Sequence, residues 1–135
     1  MPSRQAFPMP EGLTFESGAA LLVNYLTAYH VLFRLGHLRP EQALLVHGAG
    51  GGVGMAVLEL ARTVPGVTVL GTASEAKHAA IGEAGCHHPI DPRAQDYASE
   101  VRRVTGGRGW TWSSTRSGAR TGARGTRSRA PPACS

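Results

Sequence analysis

The sequence LLVHGAGGGVG, which spans Leu44–Gly54, is the most informative stretch of the chain. Its apolar beginning is typical of a short buried strand, its glycines predict a tight turn, and the apolar spacing of residues 55–62 predicts a helix. In α/β domains, a strand, a glycine turn and a helix in this order hold the pyrophosphate of a dinucleotide. The bare N–H groups of the turn and the positive end of the helix then face the phosphates, where a side chain would be in the way.

Residues 49–54 match the dinucleotide pattern G-x-G-x-x-G with alanine in the first position. In that pattern Gly51 would allow the phosphates to approach closely, and Gly54 would allow the helix to pack closely on the strand. The alternative is a glycine turn with a purely structural role. A second strand, Val67–Leu70, follows at the expected distance and favours dinucleotide binding. A phosphate-binding P-loop is excluded, because no lysine and hydroxyl residue follow the last glycine.

Charge distribution argues against a nucleic-acid partner. The 135 residues suffice for about one small domain, and their 41% hydrophobic content could support a core. A formal net charge of +5 and a sequence pI near 10.0 would suit nucleic acid, but the charge is uneven. Residues 1–109 contain nine basic and nine acidic residues, whereas residues 110–135 contain five arginines and no acid. The excess therefore lies in the tail, and we expect no nucleic-acid partner.

Cysteine usage and hydropathy bear on the cellular compartment. Cys86 and Cys134 make no disulfide framework, which suits a reducing, cytoplasmic environment. The sequence shows no signal-peptide pattern. The longest apolar run, 19–35, is interrupted by three polar residues, so we expect no transmembrane segment. Peripheral association with a membrane stays open.

The other elements are predicted from caps, turns and apolar spacing. Thr14 is a candidate N-cap for one or two buried helices within 15–35, broken near Asn24. The elements predicted after the second strand are a helix over 75–84 capped by Ser74, a weak strand over 88–91, and a helix over 97–105 capped by Asp96. This alternation implies an α/β fold with a parallel sheet and right-handed crossovers. We therefore predict a partial Rossmann-type doubly wound sheet, incomplete at both ends.

The end of the second strand bears on which dinucleotide is bound. NAD-binding domains place an acidic residue there, which binds the ribose hydroxyls. Here Gly71–Ser74 contains no acid, and Lys77 follows one helical turn later. A serine hydroxyl and a cation suit a 2′-phosphate, which favours NADP. The alternatives are that Ser74 only caps a helix, that Lys77 is a solvated surface charge, and that Glu75 accepts from a ribose hydroxyl.

Three adjacent residues, Cys86, His87 and His88, have the chemistry of metal ligands but not the spacing. Their side chains would alternate between the two faces of a strand and could not all reach one ion. We therefore predict structural roles for them and no metal. His47, at the end of the first strand, is expected to be a packed histidine rather than a catalytic base. No catalytic residue can be named from spacing.

Four segments occur in a characteristic order and spacing. They are NYLTAY at 24–29, VHGAGGGVG at 46–54, GTAS at 71–74 followed by Lys77-His78, and HPID at 88–91. Together they resemble the zinc-independent quinone oxidoreductase branch of the medium-chain dehydrogenase/reductase family, and within it the vesicle amine transport proteins of synaptic vesicles. The resemblance covers about residues 7–109.

The resemblance implies an NADP cofactor and the residues that bind it. Gly52 and Val53 would donate to the pyrophosphate, and Thr27 would lie near the nicotinamide. Ser74 and Lys77 would hold the 2′-phosphate. Together with the motif glycines, the candidate cofactor-binding residues are Thr27, Gly51, Gly52, Val53, Gly54, Ser74 and Lys77.

The resemblance also implies an activity, namely hydride transfer from NADPH to a small-molecule quinone or enone by a homodimeric oxidoreductase. The barrel-like domain of the family, which supplies most of the substrate pocket, would precede Met1. Residues 1–12 would then be a linker and 13–109 a partial dinucleotide-binding domain, inactive alone. Two alternatives stay open: a non-catalytic nucleotide-binding protein at vesicle or mitochondrial membranes, and an inert truncated product.

The composition changes abruptly after Gly109. Residues 110–135 have almost no aliphatic side chain larger than alanine and no periodicity, so we expect disorder. The family resemblance implies an apolar strand, close to VDVVLDPLGG, at this point. With TCN codons for serine and CGN codons for arginine, residues 110–119 translated from one base earlier permit all ten of those residues and force the first aspartate and the second inner valine. We therefore expect the tail to be a frame error, with the fourth strand lost and a sheet edge exposed.

Overall fold

The computed structural model describes residues 8–106 and 110–114, with the backbone alone for Tyr97 and 110–114. In chain order the elements are α1 (Phe15–Ala20), a π-helical stretch (Leu21–Tyr25), α2 (Leu26–Tyr29), a second π-helical stretch (His30–Leu35), β1 (Ala43–His47), α3 (Gly52–Ala61), β2 (Thr68–Thr72), a 3-10 turn (Glu75–Lys77), α4 (His78–Glu83), β3 (His88–Ile90), α5 (Tyr97–Thr105) and β4 (Trp110–Ser114).

The strands form one parallel sheet with the order β3-β2-β1-β4. At its centre, Leu45 of β1 is in register with Leu70 of β2 and Trp112 of β4. Each pair of consecutive strands is connected through a helix, which a parallel sheet requires. The predicted α/β class is confirmed, and the three predicted strands lie within two residues of their expected ends.

Strand β4 corrects the expectation of disorder in the tail. Residues 110–114 extend the sheet beside β1, with Ala43 opposite Trp110 and His47 opposite Ser114. The free backbone groups of β1 offer pairing to any extended segment, and tryptophan and threonine favour strands. The prediction that the fourth strand would be lost is therefore wrong for these five residues. Residues 115–135 lie outside the described part of the chain.

The core lies on both faces of the sheet because alternate residues of each strand point to opposite sides. On one face Leu44, Val46 and Val69 pack with α3, α4 and the long helical segment 15–35. On the other face Leu45 and Leu70 pack against Ile90 and Val101. Helices thus cover both faces, as a doubly wound sheet requires.

The long helical segment 15–35 differs from its prediction. It is helical throughout and has π-helical turns around Asn24 instead of a break. It is also largely exposed: within it only Ala28 and Leu32 are buried, whereas Val23 is 66% and Leu26 61% exposed. The expectation of buried helices is wrong. A high content of apolar residues shows that a helix needs a covering surface, but it does not show that this surface lies within the same chain.

Local caps agree with the sequence in two of three cases. The Thr14 side chain accepts from Ser17 N–H at the start of α1, and Asp96 accepts from Ala98 N–H at the start of α5. Ser74 makes no side-chain cap, so that part of its prediction is wrong. The chain there begins with the short 3-10 turn, and α4 starts only at His78.

No helix in the described part of the chain has the length and apolar character needed to cross a membrane.

Candidate dinucleotide site

The glycine turn is held at the carboxyl end of the sheet by hydrogen bonds to the last residue of β2. Gly48 N–H donates to Thr72 Oγ1 at 3.1 Å, and Ala49 N–H donates to the Thr72 carbonyl at 2.9 Å. Gly48 has a φ of 68°, which glycine adopts readily, and its carbonyl accepts from Gly51 N–H at 3.0 Å. The turn therefore has a fixed position between β1 and β2. It lies at the carboxyl ends of the strands, where α/β domains bind ligands.

Gly54 explains why the helix can leave the turn so closely. A Cβ atom on Gly54 would lie 2.5 Å from the Gly48 carbonyl oxygen and 2.7 Å from the Ala49 carbonyl oxygen. Both contacts are with backbone atoms that the turn holds in place. The predicted role of Gly54, close packing of helix on strand, fits this geometry.

The start of α3 presents backbone donors without a side-chain cap. Gly51 is the N-cap, with an extended backbone and no side-chain hydrogen bond to the helix. The first N–H groups of a helix have no intrahelical acceptor, and the helix dipole makes this end positive. Gly51 and Gly52 are exposed and Val53 is half-buried. An anionic pyrophosphate is the kind of ligand that this arrangement accepts.

Lys77 lies against the glycine turn. Its Nζ donates to the Gly50 carbonyl at 3.0 Å, although the two residues are 27 positions apart. Ser74 precedes the 3-10 turn that carries Lys77, and both residues are exposed. The chain therefore brings a cation to the edge of the turn, and Ser74 lies in the same loop after β2.

Thr27 and Asn24 lie on the long helical segment. Thr27 is exposed on α2. Asn24 was not among the predicted site residues, yet a Cβ atom on Gly52 would lie 2.9 Å from Asn24 Nδ2 and 3.2 Å from Asn24 Oδ1. The helical segment therefore crosses the start of α3 with an amide facing the turn. In the sequence, the signal for this contact was that Asn24 is a single amide residue within an apolar run.

His47 lies at the border of the site, at the end of β1. It is half-buried, and burial lowers the pKa of its imidazole. Its Nδ1 lies 3.4 Å from Thr72 Oγ1, the same oxygen that anchors Gly48. This fits a histidine packed at the strand end.

The three residues Cys86, His87 and His88 contact β2 and do not converge on a common metal site. Burial raises the pKa of the Cys86 thiol to about 11, so the group is a neutral thiol at physiological pH. Val69 N–H donates to His87 Nδ1 at 2.9 Å, and His87 N–H donates to the Val69 carbonyl at 2.9 Å. Among residues 8–106 and 110–114, no three histidine, cysteine or acidic side chains are grouped as a metal would need. The absence of a metal stays a prediction.

Comparisons with known proteins identify relatives at both sequence and fold level. The chain is 57% identical over 105 residues to the synaptic vesicle membrane protein VAT-1 homolog of Rattus norvegicus, and 55% identical over 105 residues to that of Homo sapiens. Each match covers 78% of this chain, and 26% and 27% of the rat and human proteins. No family model matches.

Solved structures show the same fold. The quinone oxidoreductase of Pseudomonas syringae superposes with a TM-score of 0.76 at 29% identity, over 82% of this chain and 34% of that protein. The Escherichia coli quinone oxidoreductase, solved in complex with NADPH, has a TM-score of 0.72 at 28% identity, over 77% of this chain and 32% of that protein. The human VAT-1 homolog-like protein has a TM-score of 0.67 at 44% identity, over 74% of this chain and 31% of that protein.

The chain belongs to the medium-chain dehydrogenase/reductase family. Its sequence relatives are the VAT-1 proteins, and its structural neighbours include quinone oxidoreductases and enoyl reductases. The family resemblance predicted from the sequence is confirmed. The chain spans about a quarter of the length of the curated relatives it matches.

Proposed function

We propose that this chain carries the dinucleotide-binding part of an NADPH-dependent oxidoreductase that transfers hydride from nicotinamide C4 to a quinone or enone. The observation that carries the proposal is the joint geometry of the turn: a tightly packed glycine turn, an uncapped helix start and a lysine at the turn edge. Family membership supports an oxidoreductase, and a structural neighbour solved with NADPH supports the choice of cofactor.

In this proposal the chain binds and orients the cofactor. Gly51 and Gly54 shape the turn, and the N–H groups of Gly52 and Val53 donate to the pyrophosphate. When bound, the nicotinamide would supply the hydride, and the protein supplies position and electrostatics.

The two ends of the cofactor are assigned to other elements. Ser74 and Lys77 hold the 2′-phosphate beside the end of β2, where no acidic residue follows Thr72 before Glu75. Thr27 lies near the nicotinamide on the long helical segment. No catalytic side chain is assigned: the cofactor supplies the hydride, and water supplies the proton that completes the reduction of the quinone or enone. The substrate pocket is assigned to the barrel-like domain of homodimeric relatives.

The cofactor preference is tested by direct binding to the full chain. We expect NADPH to bind more tightly than NADH, and Lys77→Ala to weaken NADPH by roughly 1–3 kcal/mol, the range of a charge-assisted hydrogen bond. NADH should be unaffected because it lacks the 2′-phosphate. Equal losses for both cofactors would refute the assignment of Lys77.

Turnover tests the activity itself. A homologue that contains both domains should oxidise NADPH when a quinone or an enone is added. The same assay separates the proposal from the second candidate, a non-catalytic nucleotide-binding protein that associates peripherally with vesicle or mitochondrial membranes. That candidate is favoured by the relatives, which are named as synaptic vesicle membrane proteins. NADPH binding without turnover of any quinone or enone would support it. A chain that forms only aggregates and binds neither cofactor would instead be an inert truncated product.

We further propose that residues 13–109 are the dinucleotide-binding unit, that 1–12 connect it to another domain, and that 110–135 are translated out of frame. The codons permitted for residues 110–119 support the frame error, and β4 continues the sheet beside β1. Sequencing the gene tests this directly. If the codons of residues 110–119, read one base earlier, do not encode an apolar strand ending in a motif close to DPLGG, the frame proposal is wrong.

A further inference from the structure

Gly50 lies underneath the aliphatic stem of Lys77. A Cβ atom on Gly50 would lie 2.5 Å from Lys77 Cδ, 3.3 Å from Lys77 Cβ and 3.5 Å from Lys77 Cγ. The stem therefore lies along the bare Cα of Gly50, and the ammonium group ends 3.0 Å from the Gly50 carbonyl oxygen. These contacts form a seat for Lys77, consisting of the Gly50 Cα and its carbonyl.

The backbone of Gly50 does not itself require glycine. Gly48 has a φ of 68°, in the region that favours glycine, whereas the φ of Gly50 is not positive. Gly54 is needed because backbone carbonyls lie where its side chain would be, whereas the three atoms nearest to a Cβ on Gly50 all belong to Lys77. The missing side chain at position 50 therefore serves Lys77.

We propose that Gly50 determines cofactor preference indirectly, by seating the Lys77 ammonium group at the edge of the glycine turn, ready for a 2′-phosphate. A free lysine side chain loses rotamer freedom when it is ordered. In the seat, part of that loss is incurred on folding and not on binding. The ammonium group has three donors and gives one to Gly50, so two stay available to the phosphate. This inference rests on the proposed NADPH function.

The chain offers a direct probe of the seat, because Lys77 is its single lysine. An acylating reagent for amines then has two targets, Lys77 and the α-amino group of Met1, which peptide mass spectrometry separates. In the folded wild type we expect Lys77 to react several-fold more slowly than in urea, with free Nα-acetyl-lysine in the same solution as the reference. Gly50→Ala should raise the rate in the folded state several-fold. A wild-type rate equal to that in urea, or no change in Gly50→Ala, would overturn the seat without any cofactor present.

A double-mutant cycle tests the consequence for the cofactor. Gly50→Ala should weaken NADPH about three- to tenfold, the range of one hydrogen bond and the ordering of one side chain, and leave NADH within about twofold. In a Lys77→Met background, which keeps the stem and removes the ammonium group, Gly50→Ala should change neither affinity. NADH binding by each variant serves as the control for folding.

The outcomes separate the two proposals. If the wild type binds NADPH no better than NADH, the proposed cofactor is wrong, whatever the labelling rates show. If the wild type prefers NADPH and Lys77→Met removes that preference, the function stands. The role of Gly50 is then refuted by an equal loss of both cofactors in Gly50→Ala, by a loss of NADPH affinity that persists in the Lys77→Met background, or by tighter NADPH binding.

Discussion

The glycine turn and the long helical segment 15–35 are both rich in sequence signals, but only the strand and the helix that flank the turn are largely covered by the rest of the chain. Around the turn, Val46, Ala49 and Val57 are fully buried. Along the helical segment Phe15 is 83% exposed, and Val23 and Leu26 are more than half exposed. A motif with fixed geometry therefore predicted which neighbouring residues are buried, whereas apolar content alone did not.

The difference has a physical cause. The turn contacts its neighbours through backbone atoms at fixed distances, such as the carbonyls that surround Gly54, so the sequence leaves little freedom. An apolar helical face requires only some apolar surface, and that surface can belong to another domain or molecule. The turn should consequently be sensitive to small changes, and the exposed face of the helical segment should tolerate larger ones.

The largest effect is expected at Gly54. Gly54→Ala would place a Cβ atom 2.5 Å and 2.7 Å from two carbonyl oxygens, so the turn would have to open. We expect a loss of roughly 4 kcal/mol or more in the free energy of unfolding, measured by urea denaturation. The matched control is Gly82→Ala in α4, where a Cβ atom would meet nothing within 4 Å. That variant should be neutral or stabilised by up to about 1 kcal/mol. Equal effects of the two variants would contradict the fixed geometry of the turn.

The second effect is a difference in stability loss between the buried and the exposed face of the long helical segment. Leu32 is 1% exposed and Leu26 is 61% exposed, so the same substitution can be compared within one segment. Leu32→Ala should lower the free energy of unfolding by about 2–4 kcal/mol, because it leaves a cavity. Leu26→Ala should change it by less than about 0.5 kcal/mol. A large loss for Leu26→Ala would show that its face is covered within the chain.

The smallest effect concerns His47 and pH. Burial lowers the pKa of the folded-state imidazole below the ordinary value of 6.5, so the unfolded chain takes up its proton first as pH falls. The contribution of His47 to stability is therefore complete above pH 6.5 and decreases as the pH falls through the folded-state pKa. His47→Gln should flatten the stability profile in this window, measured by thermal unfolding at a series of pH values. A profile unchanged by the substitution would show that other groups cause the acid dependence.

Particular residues show how far the sequence could be interpreted. Helix α5 begins and ends at its predicted residues because Asp96 caps it and Gly106 adopts the left-handed conformation that ends it. The contact between Asn24 and Gly52 could not be predicted, since it depends on how the helical segment crosses α3. The contact between Lys77 and Gly50 was missed for the same reason. Strand β4 was missed because pairing along β1 outweighs the low apolar content of residues 110–114.

In the proposed function, the glycine turn at the start of α3 binds the pyrophosphate of a nicotinamide dinucleotide. Nuclear magnetic resonance of the 14.2 kDa chain, titrated with NADPH and separately with NADH, tests it most directly. We expect the backbone N–H signals of Gly52 and Val53 to shift most with both cofactors, and those of Ser74 and Lys77 to shift with NADPH alone. Shifts that avoid residues 51–54, or no shifts at saturating cofactor for a folded chain, would contradict it.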